Sequence, residues 1–322
     1  FLIGIFFLPS ALPISALFLL ISLIISLKNK HPFSLKDKWN LPLYISIGLI
    51  IFSTINITFF NRPLILLKYD IPIIWINLVN WLPTFLFYWG FQNYLRTDNQ
   101  RLIFAKYLIS GTLPVIASFI GQKFFSLYGP YKTLYGLVIW FQKPLIENHH
   151  PIAGLFSNVN YAGIWLALTL PFSIHLLQIS KGESIFKKII LFIFSFLIFY
   201  MILLTGSRNG LLGIIITFLF LYSFKRIIII IGSISAFFLT YKFIGITQSH
   251  ELKLLNHIVP SHLFSKLNEL NIYYSPRLDI WESALSRIIE RPLLGWGPST
   301  FSFLHIENND TFKIPYQIID AQ

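Results

Sequence analysis

The sequence predicts an all-α fold, a polytopic transmembrane helical bundle with a large extracytoplasmic loop, on three observations. First, 55% of the 322 residues are hydrophobic and 12% are charged, with a mean hydropathy of +0.67, more apolar surface than a water-soluble core can hide. Second, apolar runs of about the 20 residues that a membrane-spanning helix requires recur from Phe1 to Gly245, separated by short polar segments that hold nearly all the charge. Third, segments such as Ile189 to Thr205 and Ile227 to Thr240 are apolar on every side, without the alternating polarity of a membrane β-strand.

Taken in order, the runs give eight expected spans: Phe1–Leu27, Leu41–Phe60, Ile71–Phe91, Leu102–Gly121, Tyr161–Ile179, Ile189–Thr205, Gly210–Phe224 and Ile227–Gly245. Lys28, Lys30, Lys36 and Lys38, then Arg96 and Arg101, then Lys181, Lys187 and Lys188, then Lys225 and Arg226 occupy alternate connections, which marks those connections as cytoplasmic. The others, Asn61–Asp70, Gln122–Asn160, Gly206–Asn209 and the tail, are then extracytoplasmic. Residues 1–245 are thus expected to form the bundle, and residues 246–322 an extracytoplasmic loop truncated at its C-terminal end. Phe1 falls on the outside in this scheme, so one further upstream span is expected. Its run is long enough to span rather than to serve as a cleaved leader. The segment Gln122–Asn160 carries aromatic residues suited to headgroup depth. The expected location is a bacterial inner (plasma) membrane, crossed many times.

The chain has no cysteine, which excludes thiolate zinc, iron–sulfur and disulfide chemistry. Its net charge of +12 sits mostly beside apolar spans, where it sets topology and meets anionic headgroups; membrane lipids, and no nucleic acid, are the expected partners. His149 and His150 lack the spacing and acidic company of a metal site, so no metal or cofactor is expected. His175, among aliphatic residues inside a span, reads as a bundle histidine with a satisfied ring. Every Asp and Glu falls in a connection or the tail. No carboxylate is therefore available inside the spans to neutralise a coupling ion, which disfavours ion-coupled transport, although backbone carbonyls can bind Na⁺.

Three polar segments interrupt this pattern. In Gly154-Leu155-Phe156-Ser157-Asn158-Val159-Asn160-Tyr161, Asn158 or Asn160 suits a helix N-cap, and the other is surplus to capping. In Thr205-Gly206-Ser207-Arg208-Asn209-Gly210, Arg208 must lie at the membrane–water boundary between two apolar spans, either as an interfacial anchor or as a ligand-binding cation. In Ser275-Pro276-Arg277-Leu278-Asp279-Ile280-Trp281, Ser275 reads as an N-cap and Pro276 as the first helical residue. Leu278, Trp281, Leu285 and Ile288 then recur at helical spacing, giving an amphipathic helix that lies on the bundle roof or the membrane surface. Arg277 in its first turn either shares an anion with the helix N-terminus or pairs with Asp279 or Glu282. The turn Leu293-Leu294-Gly295-Trp296-Gly297-Pro298 suggests close backbone packing, with Trp296 a core or interface residue and no chemistry of its own.

In their order, these segments with Pro292 to Gly297 resemble the O-antigen ligase/polymerase family over about Gly154 to Phe301. The resemblance implies a membrane glycosyltransferase, an undecaprenyl-pyrophosphate-linked glycan donor and a lipid A-core or glycan acceptor. It implies pyrophosphate binding by Arg208 and Arg277 as the catalytic residues, and substrate contacts by Asn158 and Asn160. It also implies a general-base His near the end of the periplasmic loop, which would fall beyond Gln322, so the 322 residues alone are expected to be inactive. His305 has no matching surroundings. Within the resemblance, a polymerase joining lipid-linked repeat units is the alternative to a ligase. A protein O-glycosyltransferase is a further acceptor variant, and an inorganic-carbon transporter is the reading from another class.

Overall fold

The computed structural model describes residues 1–28, 38–60, 71–145, 151–221, 276–298, 300, 301 and 304. The expected span Ile227–Gly245 and most of the following tail lie outside these residues, as do His149, His150, Ser275 and His305. The helices are α1 (Leu2–Phe7), α2 (Leu12–Lys28), α3 (Leu41–Ile55), α4 (Ile71–Phe91), α5 (Asp98–Gly111), α6 (Leu113–Phe124), α7 (Val159–Ile179), α8 (Ile185–Thr205), α9 (Arg208–Leu221) and α10 (Pro276–Glu290). A small antiparallel hairpin, β1 (Tyr131–Thr133) and β2 (Val138–Trp140), pairs Tyr131 with Trp140. Among the described residues the architecture is thus all-α apart from this hairpin.

Four helical stretches among the described residues are long and apolar enough to cross a membrane: Leu41–Phe60, Asp98–Phe124, Val159–Ile179 and Ile185–Thr205. Leu12–Lys28 and Arg208–Leu221 are apolar but shorter. Helix α4 has the length and the bounds expected of it. The chain is a multi-pass membrane protein. It divides into two compact units, Phe1–Ser22 with Tyr94–Leu270 and Leu23–Asn93 with Asn271–Gln322.

The first unit is built around α7, which packs chiefly on α8 and α9. Its buried face runs through Ala162, Leu166, Leu170 and Ile174 at helical spacing, against Ile198, Ile202 and Ile214. Polar side chains in this core return their hydrogens to the preceding turn: Thr169 Oγ1 donates to Leu166 O at 3.0 Å and Ser173 Oγ to Leu170 O at 2.8 Å. Such local bonds leave no donor unsatisfied where water is absent.

Two expected spans are broken. The run Phe1–Leu27 is two helices, because Pro9 has no N–H to continue the ladder. The break is held by Ser15 Oγ donating to Gly4 O at 2.7 Å and the Trp140 indole donating to Ser10 O at 2.8 Å. The run Leu102–Gly121 begins earlier, at Asp98, where Thr97 and Gln100 form a reciprocal capping box. It changes helix at Thr112, just before Leu113-Pro114. Glycine lets α1 and α5 touch, since a Cβ on Gly111 would fall 2.4 Å from Phe6 O.

In the second unit, α3 continues into a π turn, Asn56–Phe60, and packs on α4. Tyr44 stacks on Trp89 with ring centroids 4.7 Å apart. A smaller cluster of Ile57, Ile74 and Leu304 receives Trp296. Helix α10 carries the predicted apolar stripe, yet Leu278, Trp281, Leu285 and Ile288 are exposed, whereas Arg287 is buried.

Candidate functional site

The polar turn between α8 and α9 is shorter than the expected Gly206–Asn209 connection. Gly206 closes α8 in the left-handed conformation, φ 57° and ψ 17°, which glycine adopts without a Cβ penalty. Ser207 then caps α9: its Oγ accepts from Gly210 N at 3.3 Å. Arg208 and Asn209 are consequently the first residues of α9 rather than loop residues. Thr205 Oγ1 donates to Ile202 O at 2.7 Å and accepts from Ser207 N at 3.1 Å, fixing the turn from the other side.

The same turn joins the start of α7. Asn158 is the N-cap of that helix, its Oδ1 accepting from Asn160 N at 2.8 Å. The Asn160 side chain is thereby free for another task, and its Oδ1 accepts from Ser207 Oγ at 3.1 Å. Two segments 47 positions apart in sequence are thus linked side chain to side chain. Small residues make the approach possible: a Cβ on Gly163 would fall 2.6 Å from Ser207 Cβ, and one on Gly213 would fall 2.5 Å from Ala167 Cβ.

Arg208 is exposed at the head of α9 and has no hydrogen bond or ion pair with any described residue. Neither Asn158 nor Asn160 donates its side-chain amide N–H to a described residue. With both Asn Oδ1 atoms already accepting, the arrangement presents as available donors a guanidinium, two side-chain NH₂ groups and first-turn N–H groups of two helices. Its chemistry is recognition of anionic or hydroxyl-rich groups.

What holds the entry to α7 in place was not foreseen from sequence. The segment leading into α7 has no regular structure from Pro151 to Ala153, turns at Gly154, and is buried from Ile152 to Leu155. Irregular backbone is tolerated there only when fully bonded. Ile152 N donates to Leu204 O at 3.0 Å, Gly154 N to Gln122 Oε1 at 2.9 Å and Leu155 N to Ser118 Oγ at 2.9 Å. Gln142 N donates in turn to Gly154 O at 3.1 Å, and the Gln142 amide donates to Ser118 O at 3.3 Å. The available signal was Ser118 and Gln122 one helical turn apart in an apolar helix, a costly placement without partners. Lys123 also went unnoticed; it lies over the Tyr200 ring, 5.9 Å from the centroid.

In the second unit, Arg277 is the second residue of α10, as the Pro276 position suggested. Trp296 is a packed residue: its indole donates to Arg287 O at 3.0 Å, and the guanidinium of Arg291 lies 4.3 Å from its ring centroid. Gly295 and Gly297, at φ 61° and 92°, give the turn around it. His175 is exposed on α7 rather than satisfied inside the bundle, with no hydrogen bond to a described residue. No cluster of three metal-ligating side chains occurs among the described residues.

Helices long and apolar enough to span define the class, a multi-pass membrane protein. Residues 193–320 match the family described as O-antigen ligase. The family is glycosyltransferase-like, of ligase or polymerase type, and has lipid-linked glycans as substrates. The match contains Arg208 and Arg277 and stops short of Asn158 and Asn160. No curated protein and no solved structure matches the chain.

Proposed function

We propose that the protein is an O-antigen ligase-like glycosyltransferase that moves a glycan from undecaprenyl pyrophosphate to lipid A-core on the outer face of the bacterial inner membrane. The observation that carries this reading is the Asn160–Ser207 link, which sets an unpartnered Arg208 and the head of α9 beside the head of α7. In the reaction the acceptor hydroxyl attacks the anomeric carbon, the bond from that carbon to the pyrophosphate oxygen breaks, and the electron pair leaves with the pyrophosphate. Charge grows on the departing phosphates, and a fixed guanidinium with helix-end N–H groups stabilises it. Arg208 takes this role. Arg277 takes the same role on the strength of the family resemblance, and Asn158 and Asn160 bind donor glycan or phosphate oxygen through their amide N–H groups. The hydroxyl proton goes to a general base, which the family resemblance gives as a histidine.

Arg208→Ala and Arg277→Ala in the full-length protein should each abolish glycan transfer at unchanged membrane abundance. Normal transfer by either variant removes that arginine from the reaction. Deleting the gene in its host and resolving surface polysaccharide on a gel separates the acceptors. Bare lipid A-core with long polymer left on the carrier means ligase, and single repeat units on the core mean polymerase. An unchanged profile removes the enzyme reading and favours transport.

A further inference from the structure

The second unit contains a cavity of about 570 Å³ between α3, α4, α10 and the Trp296 turn, within the size range of sites that enclose small ligands. Leu49, Ser53, Trp81, Ile288, Arg291 and Trp296 are among its walls. The cavity is mostly apolar and continuous with an exposed apolar side of a helix long enough to span. Leu49 belongs to a stripe of exposed side chains on α3, with Leu41, Ile45 and Phe52, along the stretch Leu41–Phe60. Ile288 on α10 and Leu293 in the turn after it, 58% and 84% exposed, extend that apolar surface.

Its charge is equally informative. Arg287 is paired with Glu290 at 3.0 Å and also donates to Leu304 O at 3.4 Å, so its charge is balanced within the protein. Arg291 has no carboxylate partner among the described residues. Its backbone is pinned by Arg291 N donating to Arg287 O and Gly295 N donating to Arg291 O, at 3.3 and 3.1 Å. Its guanidinium lies over the face of Trp296, an arrangement that orients the ion and keeps its N–H groups available at the edge. Ser53 Oγ is already committed to Leu294 O, and the Trp296 indole to Arg287 O. The cavity therefore offers an apolar wall and one uncompensated guanidinium.

We infer that this cavity binds an anionic glycerophospholipid of the surrounding bilayer, with an acyl chain along Leu49, Trp81 and Ile288 and the phosphodiester on Arg291. One net positive charge matches the single negative charge of a phosphodiester headgroup better than the multiple charges of a pyrophosphate. The site thus differs in ligand from the donor-binding arginines, and it stands without the glycosyltransferase reading.

The test is native mass spectrometry of the delipidated full-length protein titrated with phosphatidylglycerol, phosphatidylethanolamine or undecaprenyl phosphate. Wild type should hold phosphatidylglycerol about tenfold more tightly than phosphatidylethanolamine, the worth of one charge-assisted hydrogen bond. Arg291→Gln should abolish that preference. Arg101→Gln, which removes an exposed guanidinium in the other unit, should leave it intact, and Leu49→Trp should weaken both glycerophospholipids by filling the groove. Retention of the preference in Arg291→Gln, or equal losses in Arg291→Gln and Arg101→Gln, would overturn the inference. So would tighter binding of undecaprenyl phosphate than of phosphatidylglycerol in wild type, which would make the cavity part of a carrier site.

Discussion

Gly154→Ala is the sharpest probe of how the entry to α7 is built. At φ +58° the backbone lies in the left-handed region, and an added Cβ would fall 2.4 and 2.6 Å from two Phe119 ring carbons and 2.7 Å from Ser118 Oγ. A left-handed alanine costs roughly 1–2 kcal/mol. Forcing a methyl group against the fully buried Phe119 adds roughly 1–3 kcal/mol, because a packed ring has little room to yield. The expected loss is therefore about 2–5 kcal/mol. Gly136→Ala is the matched control: its φ is +87°, and nothing lies within 4 Å of the added Cβ, so it should lose only the backbone contribution of roughly 1–2 kcal/mol. Reversible unfolding of the two variants in mixed micelles gives the comparison. Equal destabilisation of both would refute the account of Gly154 as a packing requirement. Transfer by Gly154→Ala should fall further than its folded fraction, since the same segment positions Asn158 and Asn160.

Ser207→Ala removes both the cap on Gly210 N and the bond to Asn160; it should cost about 1 kcal/mol in the same unfolding assay and lower transfer more than Ser207→Thr does. Gln122→Leu leaves Gly154 N and Lys143 O without their partners, at roughly 1–3 kcal/mol for each group that stays buried. Gln122→Glu, which keeps the acceptor and loses the donor, should fall between Gln122→Leu and wild type. The Glu183 carboxyl is held below its usual range by the hydrogen bond and charge of Lys187, with smaller help from Lys106 and Lys188. A depressed folded pKa gives stabilisation that is present above the unfolded value and lost as pH falls through the folded one. Carboxyl NMR titration should therefore show Glu183 ionising at lower pH than in Lys187→Met; coincident curves would remove the pair's influence.

Much of this arrangement was legible because membrane physics is local. The ends of α4 coincide with the expected span, and Asn158, one of the two asparagines suited to capping, caps α7. The broken first helix was not legible, since hydropathy averaged over Phe1 to Leu27 conceals one Pro9. Periodicity identified α10 as amphipathic but not which side is buried. Arg287 is inside because Glu290, Trp296 and Leu304 O receive it, and those partners arise from tertiary structure. The Asn160 pairing was half legible: the second asparagine was recognised as surplus to capping, while its partner, 47 positions away, could be found only in the fold.

The small residues of α7 and α9 connect stability with recognition. Helices in lipid gain nothing from exchanging tail contacts for leucine contacts, so close approach at small residues carries much of their association. A Cβ on Gly210 would sit 3.3 Å from Gly163 Cα, and one on Gly163 would strike Ser207. The approach that packs α9 onto α7 is therefore the approach that delivers Ser207 to Asn160. Gly163→Ala tests this coupling because α7 there is ordinary helix, and alanine is favoured over glycine by up to about 1 kcal/mol on propensity alone. If packing and site geometry were separate, the variant would unfold later and transfer normally. The contacts at 2.6 and 2.9 Å to Ser207 instead require the turn to move, so transfer should fall even where unfolding is unchanged. Undiminished transfer would mean that the Asn160–Ser207 bond is dispensable to the reaction.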